Sequence, residues 1–164
     1  MEYFEMPCQF RGKTRWLIYY TNDQDGVVTD KEGKILSFAT VEGAGEHARK
    51  KKWKIKPGQP VLDLDQIGEW IESLDPHELD CPALYRTWNL LGDVATSLGK
   101  ASDYPGYDSD SMIIHEELFW GCNLPGMAPL DQPYQAKLSE EDLETVQDVL
   151  ASGLQMLLSS LKEI

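Results

Sequence analysis

The sequence predicts an α+β fold in a single domain, residues 1–164: an N-terminal antiparallel β-meander followed by a mostly helical C-terminal part. Three observations predict it. The apolar pattern changes near residue 40, from runs rich in aromatic and β-branched residues to repeats at helical spacing. The length of 164 residues suits one core, since single domains run to roughly 100–200 residues. Five Trp, seven Tyr and four Phe supply the mass for that core, where a disordered chain would be poorer in them.

Each element has a local reason. Trp16-Leu17-Ile18-Tyr19-Tyr20-Thr21 reads as a strand, and Asn22 to Gly26 reads as a turn because Asn, Asp and Gly tolerate positive φ. Val27 to Thr29 is a second strand, Asp30 to Gly33 a second turn, and Ile35 to Ala39 a third strand, which completes the meander. Thr40 then caps a helix from Val41 to about Lys52, weakened by Gly43 and Gly45. Pro57 and Pro60 end that region. Asp63 caps the next helix, with Gln66 in the capping-box position and Ile67, Trp70, Ile71 and Leu74 on its apolar face; Pro76 stops it.

Asp80 caps a stronger helix, with Pro82 in its first turn and Leu84, Trp88, Leu91, Val94, Ala95 and Leu98 along one side; Gly99 follows as its C′ residue. Lys100 to Asp110 reads as a polar loop, Met112 to Trp120 as a short helix, and Gly121 to Gln135 as a long irregular loop. Ser139 caps the last helix, whose first turn holds Glu140, Glu141 and Asp142, where the dipole favours them. Leu143, Val146, Val149, Leu150, Leu154, Leu157, Leu158 and Leu161 keep helical spacing. About 25 residues at about 1.5 Å each predict a helix of roughly 37 Å. Trp88, Leu91, Leu150 and Leu154 are the expected core residues on these two helices.

Charge is divided unevenly. Residues 1–56 hold 11 Lys+Arg and 8 Asp+Glu, a net of +3; residues 57–164 hold 4 and 20, a net of −16. Such a surface repels nucleic acid and anionic membranes and attracts basic proteins. No apolar run approaches the roughly 18–20 residues of a membrane span. The N-terminal Met1-Glu2-Tyr3-Phe4-Glu5 has no basic or apolar leader pattern, and three scattered Cys make no disulfide framework, so a cytoplasmic location is expected.

No catalytic, cofactor or metal site is expected. Residues 21–32 match several positions of a calcium loop, with Asp23, Asp25, Gly26, Val28 and Glu32, but Thr21 replaces the first carboxylate and both flanks read as strands. Cys8, Cys81 and Cys122 stand alone, as do His47, His77 and His115, so no zinc pair forms in the sequence. Cys81 with His115 remains an open nucleophile–base pair. The basic run Arg49-Lys50-Lys51-Lys52-Trp53-Lys54 reads as the solvated end of a helix, available to pair with downstream carboxylates.

The segment Ser102 to Asp110 places Asp103, Asp108 and Asp110 beside Tyr104 and Tyr107. Glu116 and Glu117 extend the acidic surface. Tyrosines are common anchors of protein interfaces, and carboxylates around them steer a basic partner. These seven residues are the expected partner-binding site.

The Trp16–Phe38 strand-turn-strand stretch, the aromatic-acidic segment 103–110 and the acidic C-terminal two-thirds together resemble bacterial toxin-immunity proteins, including those of contact-dependent inhibition systems. The resemblance implies a non-enzymatic protein that binds and neutralises a cognate toxin in the cytoplasm, usually a nuclease domain with a basic cleft. Two other readings stand beside it: a small metal-dependent hydrolase or transferase using Asp63, Asp65 or Glu69, and an adaptor subunit of a larger assembly.

Overall fold

A computed structural model describes residues 1–127 and 131–164. Strands β1 (Glu2–Phe10) and β2 (Lys13–Thr21) form a hairpin in full register, from Glu2 opposite Thr21 to Phe10 opposite Lys13. Its two-residue turn is Arg11-Gly12, both at positive φ (50° and 69°), the geometry that matches the twist of paired strands. β3 (Gly26–Val27) pairs antiparallel with β2 on one side. On the other side of β1 lie β5 (Ile55–Lys56) and β6 (Leu62–Asp63), both parallel to it.

A second, two-stranded sheet pairs β4 (Ile35–Ser37) in parallel with the C-terminal β7 (Leu161–Glu163). An antiparallel bridge between Trp16 and Phe38 links the sheets. The meander predicted over residues 16–39 is therefore present, through the β2–β3 pairing, the Thr29–Ile35 bridge and the Trp16–Phe38 bridge. The strand region begins earlier than the sequence suggested. β1 was not among the predicted strands; the fold seats Pro7 between the stretches that β5 and β6 occupy, where no ladder donor is required.

The helices are α1 (Val41–Lys50), α2 (Leu64–Glu72), α3 (Cys81–Ser97), α4 (Ser109–Gly121) and α5 (Glu140–Ser160). Every predicted N-cap side chain accepts its bond: Thr40 from the Gly43 amide, Asp63 from Gln66 and Asp80 from Ala83; Ser139 with Asp142 forms a full capping box, whereas the Gln66 side chain donates to Glu69 and does not complete one with Asp63. Two single 3-10 turns, Ala101–Asp103 and Pro105–Tyr107, join α3 to α4.

α3 is the centre of the molecule. Trp88, Leu91, Val94 and Ala95 are buried, packed with Val146, Val149, Leu150 and Leu157 of α5 and with Met6 and Leu17 of the hairpin. Gly153 lets the two helices close: a Cβ there would lie 2.7 Å from that of Leu91. A smaller cluster of Ile18, Val28, Leu36, Phe38 and Ala44 fills the space beneath α1.

Two expectations for the last helix are corrected. α5 stops at Ser160, and Leu161 begins β7 rather than another turn, because pairing with β4 satisfies its backbone. Leu154 is only partly buried; with Ile71, Ala151 and Leu158 it lines an open groove. Among the described residues, no helix is long and apolar enough to cross a membrane.

Candidate protein-binding site

The predicted binding residues fall into three groups. Tyr104 is 1% exposed. Its hydroxyl donates to the Trp88 carbonyl at 2.7 Å, and the Trp88 indole donates to the Gly106 carbonyl at 3.1 Å. Burial pushes the Tyr104 phenol well above its ordinary pKa. Tyr104 is thus a core residue that clamps the α3–α4 connection, and its expected role as an interface anchor is corrected. The ring was misplaced because its neighbours in sequence are polar, and a 3-10 turn on either side is enough to turn it inward.

Glu117 is also committed within the chain. Both its oxygens accept from the Tyr134 hydroxyl, at 2.7 and 2.9 Å, and one accepts from the Lys137 amide at 3.3 Å. The hydrogen bond to this carboxylate is what raises the Tyr134 phenol pKa. Asn123 fixes the backbone of Tyr134 from both sides, donating to its carbonyl at 2.9 Å and accepting from its amide at 2.6 Å. Glu117 therefore pins the segment leading into α5 onto α4.

Asp103, Tyr107, Asp108, Asp110 and Glu116 are exposed. Tyr107 stands edge-on to Tyr104, with ring centroids 5.1 Å apart, and is 47% exposed. Asp108 is the N-cap residue of α4 but makes no side-chain capping bond. Among the described residues the salt bridges are Arg15–Glu163, Lys56–Glu2 and Lys162–Asp30. None involves an acid of α4 or the basic run 49–54. The suggested pairing of that run with downstream carboxylates is not formed. Between Lys100 and Lys137 the sequence has no Lys or Arg, against six acids: Asp103, Asp108, Asp110, Glu116, Glu117 and Asp131.

Sequence reasoning missed the apolar half of this surface. α4 buries Ser111, Ile114 and Leu118, yet it also exposes Met112, Ile113 (68%) and Trp120 on its outer side. Ile113, Glu116, Glu117 and Trp120 follow the spacing of a single helical stripe. With Met127 and Tyr134 they line a cleft of about 520 Å³. Among the described residues nine large apolar side chains are exposed, and six of them, Tyr107, Met112, Ile113, Trp120, Leu124 and Tyr134, lie between residues 107 and 134. A helix apolar on two sides belongs in a core, and α4 is covered on one. Ile113 and Ile114 are adjacent, so the sequence period does not show which side of α4 is covered, and the fold alone reveals the exposed stripe.

The residues of the other readings are engaged elsewhere. Asp63 caps α2, Asp65 accepts from the Arg11 and Gly12 amides at 2.8 and 3.1 Å, and Glu69 accepts from the Gln66 side chain at 3.2 Å. Cys81 is buried against Gly121, while His115 shares a 2.7 Å hydrogen bond with Asn89 and packs beside Tyr85 and Trp88. In the calcium-like loop, Asp25 accepts from the Asn22 amide, and Asp30 accepts from the Glu32 and Lys34 amides and from Lys162, so the turns themselves use these carboxylates. Trp53 of the basic run stacks on Tyr3, with centroids 4.4 Å apart and planes at 11°. Among the described residues no group of three or more His, Cys, Asp or Glu is placed to hold a metal ion.

Comparison with known proteins gives a fold and no family. No family model and no curated protein matches the chain, so none links it to toxin-immunity proteins. The structure is similar to the crystal structure of the SatS C-terminal domain in complex with bromine, with a TM-score of 0.52 and 11% identity, over 99% of this chain and 94% of that one. At that identity the likeness is one of fold.

Proposed function

We propose that the chain is a non-enzymatic binding protein whose α4 face captures and neutralises a basic partner protein in the cytoplasm, as a toxin-immunity protein does. The observation that carries this is the outer stripe of α4, where Ile113 and Trp120 are exposed beside the exposed carboxylates Asp110 and Glu116. Exposed apolar groups supply desolvation at the centre of an interface, and unneutralised carboxylates around them favour a cationic surface. A toxin domain with a basic active-site cleft has that chemistry, and covering the cleft would block it.

Co-expression with the product of the adjacent gene tests the reading. The wild-type chain should protect the host cell and co-purify with that product. Ile113→Asp, at a position where folding makes little demand, should abolish both. Equal protection by Ile113→Asp, or no complex with the adjacent product, would overturn the proposal.

A further inference from the structure

A second recess, at the β1–β2 hairpin, has different chemistry. The β1–β2 register places Met6 opposite Leu17, Cys8 opposite Arg15 and Phe10 opposite Lys13. Side chains at alternate positions share one face of the hairpin, so this face grades from buried apolar pairs to cationic ones as it approaches the Arg11-Gly12 turn. Met6, Cys8 and Leu17 are buried, Phe10 and Arg15 partly so, and Arg11 and Lys13 are exposed. Facing it are Leu64 at the start of α2, Leu158 near the end of α5 and Leu161 of β7. The cleft between them encloses about 630 Å³, within the roughly 300–1,000 Å³ usual for small-molecule sites.

Cationic side chains gather at this mouth, as they do along residues 49–54, and the Asp65 carboxylate lies beside it, accepting from the Arg11 and Gly12 amides. Arg11, Lys13 and Arg15 stand around the mouth, with Glu163 as the one carboxylate among its lining residues. Arg15 is paired with Glu163. Arg11 lies over the Phe10 ring, 5.0 Å from its centroid, and neither Arg11 nor Lys13 takes part in an ion pair among the described residues. In a chain of net charge −13, an apolar recess with a cationic rim selects for a ligand of matching polarity.

From this juxtaposition we infer that the cleft between the β1–β2 hairpin and the α5–β7 junction binds a single-chain anionic amphiphile of the fatty-carboxylate class. The chain lies against Leu17, Leu64, Leu158 and Leu161, and the head group meets Arg11 and Lys13. Guanidinium and ammonium groups both hold a carboxylate through charge-assisted hydrogen bonds. The Cys8 thiol, pushed up to about 12 by burial, stays protonated and acts as part of the apolar wall.

The test is calorimetric titration of the full chain with dodecanoate and with dodecyltrimethylammonium, each below its micellar concentration. One dodecanoate should bind per chain, and the cationic analogue should bind at least about 10-fold more weakly, the reverse of what the net charge alone would produce. Lys13→Gln combined with Arg11→Gln should weaken dodecanoate by about 10-fold, and Glu163→Gln, which frees Arg15, should tighten it by about 3-fold. Methyl NMR should show dodecanoate shifting Leu17, Leu64, Leu158 and Leu161. Preference for the cation, shifts confined to other methyls, or unchanged affinity in both charge variants would overturn the assignment. So would sedimentation with phosphatidylglycerol vesicles by a chain that ignores monomeric dodecanoate.

Discussion

Trp88 and Tyr104 hold each other across the α3–α4 connection: the Tyr104 hydroxyl donates to the backbone of Trp88, and the Trp88 indole donates to Gly106, two residues past Tyr104. The two side chains are 1% exposed each. Gly106 is required here, since a Cβ would lie 2.5 Å from the Tyr104 ring and 2.8 Å from the indole nitrogen. This reciprocal clamp sets where α4 begins and therefore how its outer stripe is presented.

Removing only the hydroxyl with Tyr104→Phe should cost about 0.5–1.5 kcal/mol, the net value of one hydrogen bond. Trp88→Ala should cost roughly 3–5 kcal/mol, because it leaves a large cavity as well. Chemical denaturation measures both. Partner binding by Tyr104→Phe should match wild type, since the ring is inside; a large loss of affinity with unchanged stability would place Tyr104 at the interface after all.

Gly153→Ala should destabilise by about 1–3 kcal/mol, as expected for overpacking. The new methyl would press on Leu91 of α3. Helix propensity alone would favour Ala by about 1 kcal/mol, so the sign of the change decides whether packing or propensity dominates. A raised denaturation midpoint would mean that the helices can part at little cost.

Local signals were legible and distant ones were not. The caps at Thr40, Asp63, Asp80 and Ser139 depend on residues three positions away, so the sequence contains all that fixes them. β1 pairs along its whole length with β2 across the Arg11-Gly12 turn, but its parallel neighbours lie about 50 residues on, and β7 depends on β4, about 125 residues before it; these distant partnerships leave no mark near either strand. The acidic half of the candidate site could be read from composition. Its apolar half could not, because Ile113 and Ile114 are adjacent and only the fold decides which of them faces solvent.

Asp93 gives the fold a pH dependence. Its carboxylate is half-buried and accepts from the Tyr19 hydroxyl at 2.8 Å. Burial raises its pKa, the Tyr19 hydrogen bond opposes that less strongly, and the nearby Asp25 charge adds to it. With the folded pKa above the unfolded one, the folded state binds the proton more tightly. Stability is then unaffected by this group below the unfolded carboxylate range, falls as pH rises through the interval between the two values, and stays lower above it. Asp93→Asn, which can still accept from Tyr19, should be more stable than wild type at pH 7 and should lose this fall. Denaturation midpoints between about pH 3 and pH 8 measure it; an Asn variant less stable than wild type at pH 7 would show that the charge is favourable where it sits.

The α4 face should divide its labour between rate and residence. Exposed ion pairs are worth only about 0–1 kcal/mol each, so Asp108, Asp110 and Glu116 should act mainly on encounter. Changing the two Asp to Asn and Glu116 to Gln should slow association by about 10-fold at low salt and flatten its salt dependence, with dissociation nearly unchanged. Ile113→Ala and Trp120→Ala should instead raise the dissociation rate, by about 10-fold or more where the side chain fills a pocket on the partner. Glu117 should fit neither class, because its carboxylate is engaged by Tyr134: Glu117→Gln should loosen the 131–138 segment, which hydrogen exchange would detect at Tyr134 and Lys137. Surface plasmon resonance with the partner at several salt concentrations separates the effects. If the charge variants changed only dissociation, or the apolar variants changed only association, the carboxylates rather than the apolar stripe would hold the complex together.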